Sequence, residues 1–586
     1  MPRFHLPSVS FRPAIALSYV IFLMVVELFQ LATSPWWYSI VSTFFNILFY
    51  AAWIWLILYI VGFLPRCIRI AVHAVLHVVF GAYAVSTAFL AYFFHRHWDS
   101  LTMQFVHETN SREASEFVTN YVFSLPTSLL LLVLVAWGVA EWRLDCRWGA
   151  WPMLPRKRAV KVMIGAGLLL MWGHILFFSL DPIRNHDLAC SVRNPLKHNV
   201  SWNFWQSILL YRDSAKDFER CAQALKNYHE RVTVYEPEAD VVLIIGESFN
   251  RHMSDLYDGT YATNPLLRKR CESGRMFLMK DVISSFNATT ENFKYFLSMA
   301  SVADPERWCD VPLLPALLKR AGYKVTYFSN QFVSSETLSR WDVSMGYINH
   351  PSIEPYLFDN RNTNKYPLDL SLVSDFASRA PQLMATKHNF CIFHLYGQHV
   401  NYSMRYPASD KYFTASDVSD RYVQPVKSGR YANLNKRLSE EQRGIIANYL
   451  NATRYNDLVV DSIIRLFDHR NAIVIYFSDH GEEVYNFREQ ICRTDLLTDK
   501  APQALREQLD VPFLVYLTPR YAQLHPELPA KLRRAASYRF MTDDLPHAIC
   551  DLLGVRSRYF RPERSPFSDS YRQPEHRILQ NGIRYD

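Results

Sequence analysis

Two short apolar segments of this chain each end in side chains that can bind a metal ion. Val241–Gly246 is followed directly by Glu247, and Ile473–Ser478 is followed by Asp479 and His480. Apolar runs of this length are typical of strands buried on both faces of a parallel sheet. In open α/β sheets, functional side chains collect outside the carboxyl ends of the strands. The sequence therefore predicts that Glu247, Asp479 and His480 meet in one crevice and bind a metal ion.

A hydroxyl-bearing residue lies between these segments, at the predicted start of a helix. Apolar residues recur at helical spacing from Phe293 to Ala300, a few residues after Thr289. A bound metal ion lowers the pKa of a hydroxyl, and the amides at a helix N-terminus hold a phosphate. Thr289 is therefore the candidate nucleophile for phosphoryl transfer. Two alternatives stay open: Thr289 or Thr290 only caps the helix, or Thr290 is the nucleophile.

A histidine follows another predicted buried strand. His399 comes shortly after the apolar run 390–395. An imidazole in this position can orient a phosphate or give a proton to a leaving group. The alternative is an ordinary loop histidine, because histidine serves many roles in proteins.

Five stretches in the first third of the chain are apolar and near the ~20 residues that a membrane-spanning helix needs. They are residues 14–32, 37–63, 70–94, 118–140 and 160–180. Arginine and lysine concentrate before the first stretch, between the second and third, and between the fourth and fifth, which places these connections in the cytoplasm. We therefore expect a multi-pass membrane protein whose chain after residue 180 lies on the opposite side of the membrane. In a bacterium this means a protein of the inner membrane with its C-terminal part in the periplasm.

The chain after the predicted spans has the composition of a soluble protein. Residues 181–238 are predicted to be a connector with interfacial helices, because the run 202–211 is amphipathic and rich in aromatic side chains. In residues 239–586, strand-like runs alternate with helical patterns. Examples are the predicted helix 313–321 and the predicted strands 325–328, 390–395 and 511–516. The alternation predicts an α/β domain with a central, largely parallel sheet covered by helices.

Composition limits the classes of function. The chain has 586 residues, of which 49% are hydrophobic, and its formal net charge is +8. Its positive residues are dispersed among acidic ones, which indicates attraction to an anionic membrane surface and not nucleic-acid binding. Most of the nine cysteines follow residue 180, which permits up to three disulfides in an oxidising compartment. Cys391, inside an apolar run, is the predicted unpaired thiol.

Further motifs around these residues carry a resemblance to a known family. They are Gly246-Glu247-Ser248 with Thr263-Asn264-Pro265, the segment Ser284–Ala300, Leu317–Lys324 with Ser329-Asn330-Gln331, Gly397–Tyr402 with Arg405-Tyr406-Pro407, Tyr455-Asn456-Asp457, and Phe477–Tyr485. Together they resemble the lipid-dependent phosphoethanolamine transferases of the alkaline phosphatase and sulfatase superfamily. The resemblance is greatest to the members that modify the heptose core of lipopolysaccharide. It covers nearly the whole length, including the five predicted spans.

The resemblance implies a metal centre and a two-step reaction. Zinc would be bound by Glu247, Thr289, Asp479 and His480, a set of ligands that also accepts manganese. Thr289 would attack the phosphorus of phosphatidylethanolamine, and diacylglycerol would leave. The phosphoethanolamine carried on Thr289 would then pass to a lipopolysaccharide acceptor, either a core heptose or lipid A.

The resemblance also implies substrate contacts, with one departure. Thr109 and Glu113 match the family loop that approaches the donor's amine, where a carboxylate attracts an ammonium; the alternative is an exposed helix start with dispersed charge. Members of the family carry a histidine before the last strand of the site, and no histidine lies between residues 481 and 511 here. Glu507 occupies its place. Three alternatives follow: Glu507 with a raised pKa protonates the leaving group, His399 does so alone, or activity is reduced.

Other functions stay open at this point. The same transfer to a periplasmic glucan is one alternative, and a membrane-anchored phosphodiesterase or glycerol-phosphate transferase of the same fold is another. A non-enzymatic membrane scaffold is a third, for which the missing histidine is the only argument. Sulfatase activity itself is disfavoured, because the Cys/Ser-x-Pro-x-Arg pattern of those enzymes is missing around Thr289.

Overall fold

The structure, a computed structural model, separates the chain into two compact units, Met1–Tyr211 and Arg212–Asp586. It describes residues 10–33, 36–94, 114–115, 117–152, 165, 216–235, 238–333, 346–421, 437–494, 496, 499–579 and 582–586.

The described part of the N-terminal unit is built from long apolar helices. They are α1 (Pro13–Thr33), α2 (Trp36–Gly62), α3 (Arg66–Phe94) and α4 (Leu125–Trp148). A short antiparallel pair, Ser10–Phe11 with Trp151–Pro152, lies at one end. Helices α1, α2 and α3 pack through buried side chains such as Tyr19 and Ile54. Among the described residues, Arg66–Phe93 and Leu125–Trp148 are long and apolar enough to cross a membrane.

The predicted spans match the observed helices in part. The first three coincide with α1, α2 and α3 within a few residues, but the fourth begins later than predicted. Residues 118–122 form a separate π-helical turn, and α4 starts after Ser124, whose hydroxyl accepts a hydrogen bond from the amide of Thr127. Pro126 stands in the first turn of α4, because its ring excludes it from a helix interior. Apart from residue 165, the fifth predicted span lies outside the described residues, so the count of five stays a prediction.

The second unit contains the predicted central sheet. Its strands are β1 (Asp240–Gly246), β2 (Met276–Met279), β3 (Asp281–Ile283), β4 (Lys324–Ser329), β5 (Asn360–Arg361), β6 (Asn389–His394), β7 (Ala472–Ser478), β8 (Glu483–Val484), β9 (Ile491–Cys492), β10 (Phe513–Leu517) and β11 (Arg539–Met541). The main sheet has the order β2-β10-β7-β1-β6-β4-β5. Two short pairs lie outside it, β8 with β9 and β3 with β11.

The sheet is mixed, which refines the prediction of a largely parallel one. Strands β7, β1, β6, β4 and β5 are parallel, whereas β10 runs antiparallel to both β7 and β2. The reason lies in the connection from β7 to β10. This segment stays at the edge where β7 ends, since the amide of Gly481 donates to the carbonyl of Gln508. The chain therefore re-enters the sheet from that edge in the opposite direction.

Helices cover both faces of the sheet. They are α5 (Pro265–Glu272), α6 (Thr289–Phe296), α7 (Leu314–Arg320), α8 (Gly346–Asn349), α9 (Glu354–Leu357), α10 (Asp369–Leu383), α11 (Glu440–Phe467), α12 (Pro502–Leu509), α13 (Pro519–Leu524), α14 (Leu528–Ala535) and α15 (Leu545–Leu552). Alternate residues of β1 face opposite cores: Val241 and Leu243 pack in one, Val242 and Ile244 in the other. The helical segment 216–226, which we predicted to be connector, adds Phe218 to the first core.

The described cysteines form no disulfide with one another. All are thiols: Cys67, Cys146, Cys221, Cys271, Cys309, Cys391, Cys492 and Cys550. The disulfides permitted by the sequence are therefore not formed in the described part of the chain. Cys391 lies in β6, is buried as predicted, and fills apolar core volume. Cys190 lies outside the described residues.

Candidate active site

Three residues that could hold a metal ion meet at the ends of two neighbouring strands. Gly246 of β1 and Ser478 of β7 are partners in the sheet register, so the next residues, Glu247 and Asp479, leave the sheet side by side. Ligand atoms of Glu247, Asp479 and His480 lie within 4.8 Å of one another, and all three residues are buried. The structure thus brings together the three residues that the strand ends predicted.

Only one oxygen of the Asp479 carboxylate has hydrogen-bond partners among the described residues. Its Oδ1 accepts hydrogen bonds from the amides of Ser248 (3.2 Å) and His480 (2.8 Å). Its Oδ2 has no hydrogen-bond partner among the described residues. Burial raises the pKa of Asp479 well above its usual range, and the charge of Glu247 raises it further. A buried unpartnered oxygen beside a second carboxylate is costly unless a cation binds there, so the pair fits a cation site.

The His480 imidazole presents a lone pair to the same point. Its Nδ1 lies 2.8 Å from the carbonyl oxygen of Gly481, and because a carbonyl only accepts, Nδ1 carries the hydrogen. Nε2 therefore carries the lone pair, 3.3 Å from Glu247 Oε1 and 3.3 Å from Asp479 Oδ2. Burial lowers the pKa of His480, and the charge of Arg493 lowers it further. A neutral imidazole fixed by a carbonyl is the form in which histidine binds metals.

Thr289 directs its hydroxyl to these ligands and not to its own helix. It is the first residue of α6, which has Ala288 at the N-cap and no side-chain cap. Thr289 Oγ1 donates to Glu247 Oε2 over 3.1 Å and lies 3.3 Å from His480 Nε2. Thr289 is partly exposed, whereas Thr290 is 1% exposed. The capping alternative is therefore wrong for Thr289, and its hydroxyl is the more accessible of the two.

Several neighbours fix the Glu247 carboxylate. Gln331, just beyond β4, donates to Glu247 Oε2 (3.1 Å) and to the carbonyl of Leu395 (2.8 Å). Ser248 adopts a left-handed backbone (φ 56°) and donates from Oγ to Glu247 Oε1 (2.8 Å). Gly397 packs against the Glu247 backbone so closely that a Cβ atom there would lie 2.9 Å from the carbonyl oxygen. Glu247 is thus held on all sides by groups from three strand ends.

His399 and Glu507 lie in different environments. His399 is partly exposed, stacks on Tyr396 with ring centroids 5.0 Å apart, and has Nδ1 2.7 Å from the carbonyl of Val400. Glu507 is buried and accepts from the side-chain amides of Asn250 (2.5 Å), Asn486 (2.7 Å) and Gln503 (2.7 Å). Burial raises the pKa of Glu507. Thr109 and Glu113 lie outside the described residues.

Arg493 is a charged residue of the site that was not predicted from the sequence. Its Nη1 lies 2.5 Å from His480 Nε2 and 3.1 Å from the carbonyl of Asn287. The strand pair β8–β9 brings it there, and each strand has two residues. Such short strands leave no periodic pattern, so no signal in the sequence placed Arg493 at the site. Gln331 belonged to a recognised motif, but its contact with Glu247 did not follow from the motif.

Comparisons with known proteins show which family the chain resembles. A family model described as Sulfatase matches residues 239–555. Phosphoethanolamine transferase EptC of Escherichia coli (strain K12) is 26% identical over 525 residues, which cover 87% of this chain and 84% of that protein. Kdo(2)-lipid A phosphoethanolamine 7''-transferase of the same strain is 26% identical over 420 residues, which cover 68% of this chain and 67% of that protein. The resemblance predicted from the motifs is confirmed.

One solved structure resembles the chain over nearly its whole length. It is the integral membrane protein lipooligosaccharide phosphoethanolamine transferase A (EptA) from Neisseria meningitidis. The likeness covers 97% of this chain and 100% of that one, with a TM-score of 0.60 and 17% sequence identity. The helical N-terminal region and the α/β unit therefore share the fold of an integral membrane protein.

Proposed function

Because this chain belongs to the sulfatase family, we propose that it is a membrane-bound phosphoethanolamine transferase. Its proposed donor is phosphatidylethanolamine, and its proposed acceptor is lipopolysaccharide, at a core heptose or at lipid A. The names of the relatives support this transfer. One observation carries the assignment: the Thr289 hydroxyl points at Glu247 and His480 Nε2 and leaves its own helix uncapped.

We propose that Glu247, Thr289, Asp479 and His480 hold a zinc ion. The residues fit the ion: one neutral imidazole nitrogen, two carboxylates and a hydroxyl form a mixed nitrogen and oxygen set of four ligands. The unpartnered Oδ2 of Asp479 supplies one of the ligand atoms. Manganese accepts similar ligands, so the proposal of a metal site at these residues does not depend on which of the two metals binds. When bound, the ion lowers the pKa of the threonine hydroxyl and polarises a phosphoryl oxygen.

The first half of the proposed reaction loads Thr289. Thr289 Oγ1 forms a bond to the phosphorus of the donor, and the bond between phosphorus and the diacylglycerol oxygen breaks. The hydroxyl proton passes to Glu247 Oε2, to which Thr289 already donates. The backbone amides in the first turn of α6 face the phosphoryl oxygens. In the second half, an acceptor hydroxyl gives its proton to His399 and forms a bond to the same phosphorus. The bond between phosphorus and Thr289 Oγ1 breaks, and Glu247 returns its proton to that oxygen.

The diacylglycerol oxygen needs a proton as it leaves, and we propose that His399 supplies it. His399 is partly exposed, and it follows β6, the strand paired with β1. The Glu507 carboxylate is enclosed by three amides, an arrangement that favours a structural role. Its role as an alternative proton donor or substrate contact stays a prediction, as do the contacts of Thr109 and Glu113 with the ethanolamine group.

The membrane helices have a physical role in this proposal. The donor is a lipid, so an enzyme held in the same membrane meets it at a high effective concentration without any further contact. The acceptor, which carries its own lipid anchor, is confined to a membrane surface in the same way.

Reconstitution of the full chain tests the proposal. The protein is placed in vesicles that contain phosphatidylethanolamine and lipopolysaccharide, with zinc, and the products are analysed by mass spectrometry. We expect lipopolysaccharide to gain phosphoethanolamine while diacylglycerol appears in equal amount. Release of free phosphoethanolamine would instead indicate a phosphodiesterase, and modification only of an added glucan would change the acceptor. Zinc-loaded protein that produces no diacylglycerol would contradict the proposal and favour a scaffold.

A further inference from the structure

Arg493 places a buried positive charge against the ligand side of His480. Its guanidinium nitrogen Nη1 lies 2.5 Å from His480 Nε2 and 3.1 Å from the carbonyl of Asn287. Its Nε lies 3.9 Å from a carboxylate oxygen of Glu482. The residue is 9% exposed. The ligand set and the proton transfers described above give this charge no role.

The fold holds Arg493 at this point through the hairpin formed by β8 and β9. Strand β9 ends at Cys492, which pairs with Glu483 of β8. Glu483 is buried, pairs with the guanidinium of Arg488 and accepts a hydrogen bond from Gln508 Nε2 (2.6 Å). Cys492 adopts a left-handed backbone (φ 64°), a strained conformation for a residue with a side chain. Such strain is concentrated at functional sites, and here it precedes the residue that enters the site.

The bond between Arg493 and His480 uses an atom that a metal ion needs. Because Nδ1 of His480 carries the hydrogen, Nε2 has a single lone pair. In the structure Arg493 donates to that lone pair. A metal ion bound to Nε2 takes the same lone pair, so the two interactions exclude each other. One Nη1 hydrogen is therefore released whenever His480 acts as a ligand.

We propose that Arg493 is the group that binds the phosphoryl oxygens in this site. Thr289 Oγ1 and Arg493 Nη1 both lie within hydrogen-bond range of His480 Nε2, at 3.3 and 2.5 Å, so the nucleophile and the guanidinium face one point. The released Nη1 hydrogen turns to a non-bridging oxygen of the phosphoryl group, while the other hydrogen stays on the Asn287 carbonyl. The inference rests on the proposed function for the identity of that phosphoryl group.

The chemistry of the site favours this role over a purely structural one. A phosphoryl group gains negative charge at its non-bridging oxygens during transfer, and a fixed cation in a water-poor site stabilises that charge. A guanidinium suits the task because it stays charged and donates along fixed directions. Asn287, which anchors Arg493, lies two residues before the nucleophile Thr289 in the chain. The cation is therefore tied to the segment that carries the reacting atom.

The test uses the full-length protein in detergent, as wild type and as R493Q, R493K and H480Q. Zinc affinity is measured by competition with a chelator, phosphate affinity by titrating zinc-loaded protein with inorganic phosphate, and transfer with phosphatidylethanolamine. We expect R493Q to bind zinc at least as tightly as wild type, because a competing donor and a like charge are removed. Phosphate binding falls about tenfold or more, and transfer slows by about 10²- to 10³-fold. R493K recovers part of both, whereas H480Q loses zinc binding.

Two results would overturn the inference. In the first, R493Q weakens zinc binding in parallel with phosphate binding, which would make Arg493 a support for the ligands. In the second, R493Q binds phosphate as wild type does. Thermal unfolding shows whether R493Q is folded; if it is not, R493K takes its place, with unchanged zinc affinity and weaker phosphate binding expected. A wild type that transfers nothing would refute the proposed function, while the zinc and phosphate titrations would still decide the role of Arg493.

Discussion

Two polar clusters follow the central strand β1, and they differ in how their charges are balanced. The open cluster consists of Glu247, Asp479 and His480, and the Oδ2 atom of Asp479 has no hydrogen-bond partner among the described residues. The closed cluster consists of Arg251, His252, Asp258 and Asp510. Asp510 accepts from Tyr585 at Oδ1, and from Arg251 (2.8 Å) and His252 (2.9 Å) at Oδ2. His252 also bonds to Asp258 over 2.8 Å.

The comparison shows that residue types alone do not distinguish a ligand site from a structural cluster. Both clusters combine carboxylates with a histidine at the carboxyl edge of the sheet. In the closed cluster the fold itself supplies a donor for each oxygen of Asp510, so the charges stabilise the structure. In the open cluster the fold supplies donors to Glu247 but leaves Asp479 Oδ2 without one, so a cation from solution can bind there. The predictions below separate these two roles.

The largest effect is expected from removal of the nucleophile. T289A should lower transfer by at least about 10³-fold, because no other group forms the bond to phosphorus. Its melting temperature should match that of wild type, since Thr289 does not cap α6. The matched control is T290A, which should stay active. Transfer is measured with phosphatidylethanolamine vesicles, and an active T289A together with an inactive T290A would move the nucleophile to Thr290.

The second prediction compares the same substitution in the two clusters. D479N should weaken zinc binding by about 100-fold or more, because it removes a ligand charge. Without metal, D479N should be as stable as wild type or more stable, since it removes repulsion from Glu247. D510N should lose about 3–5 kcal/mol of unfolding free energy, because it leaves Arg251 and His252 without their partner.

Chelator competition and denaturant unfolding of the full chain measure these two quantities for D479N and D510N. The distinction between open and closed clusters would be wrong if metal-free D479N lost as much stability as D510N. It would also be wrong if D510N lost zinc affinity while keeping its stability.

The third prediction concerns the pH range over which the closed cluster stabilises the fold. Burial alone would lower the pKa of His252, but its hydrogen bonds to Asp258 and Asp510 raise it to about 10. Because the pKa of His252 is higher in the folded state, its ion pairs stabilise the fold fully below the pKa of the unfolded chain, 6.5. This stabilisation disappears as the pH rises through about 10.

H252Q should therefore be less stable than wild type by about 3–5 kcal/mol near pH 6, the typical cost of breaking a buried ion pair by removing one partner. The difference should shrink steadily above pH 6.5 and vanish above about pH 10. Unfolding of both proteins over this range measures it. A difference that stays constant with pH would show that the charge of His252 contributes nothing.

The smallest effect is expected at Glu507. This residue accepts a hydrogen bond from the side-chain amide of Asn250, which lies in the chain between Glu247 of the open cluster and Arg251 of the closed cluster. If its role is structural, E507Q should lower transfer by no more than about tenfold, at every pH tested. A loss of about 10²-fold or more, comparable with that of H399Q, would restore Glu507 as the proton donor. Initial rates of diacylglycerol release by the two variants, measured side by side, decide between these roles.

The open cluster was predictable from the sequence because its ligands follow long apolar strands. Buried strands give continuous apolar runs, and their carboxyl ends meet at one edge whatever the length of chain between them. The proximity of Glu247 and Asp479 was therefore predictable without knowledge of the register of β1 and β7. Thr289 at the start of α6 followed from helical spacing in the same way.

Arg493 and the closed cluster were not predictable, for a different reason. Arg493 reaches the site through two-residue strands, which carry no periodic signal. Arg251 and Asp510 lie far apart in the chain, and no spacing rule joins an arginine in a turn to an aspartate after a helix. The antiparallel direction of β10 likewise depends on where the segment after His480 runs, which is a tertiary property.

The most direct test of the central claim is detection of the group carried on Thr289. The full chain is incubated with zinc and phosphatidylethanolamine vesicles without acceptor, quenched, digested and analysed by tandem mass spectrometry. We predict a phosphoethanolamine group on Thr289 itself, which disappears when lipopolysaccharide is added. Acceptor modification without any adduct on the protein, or an adduct on another residue, would contradict the account.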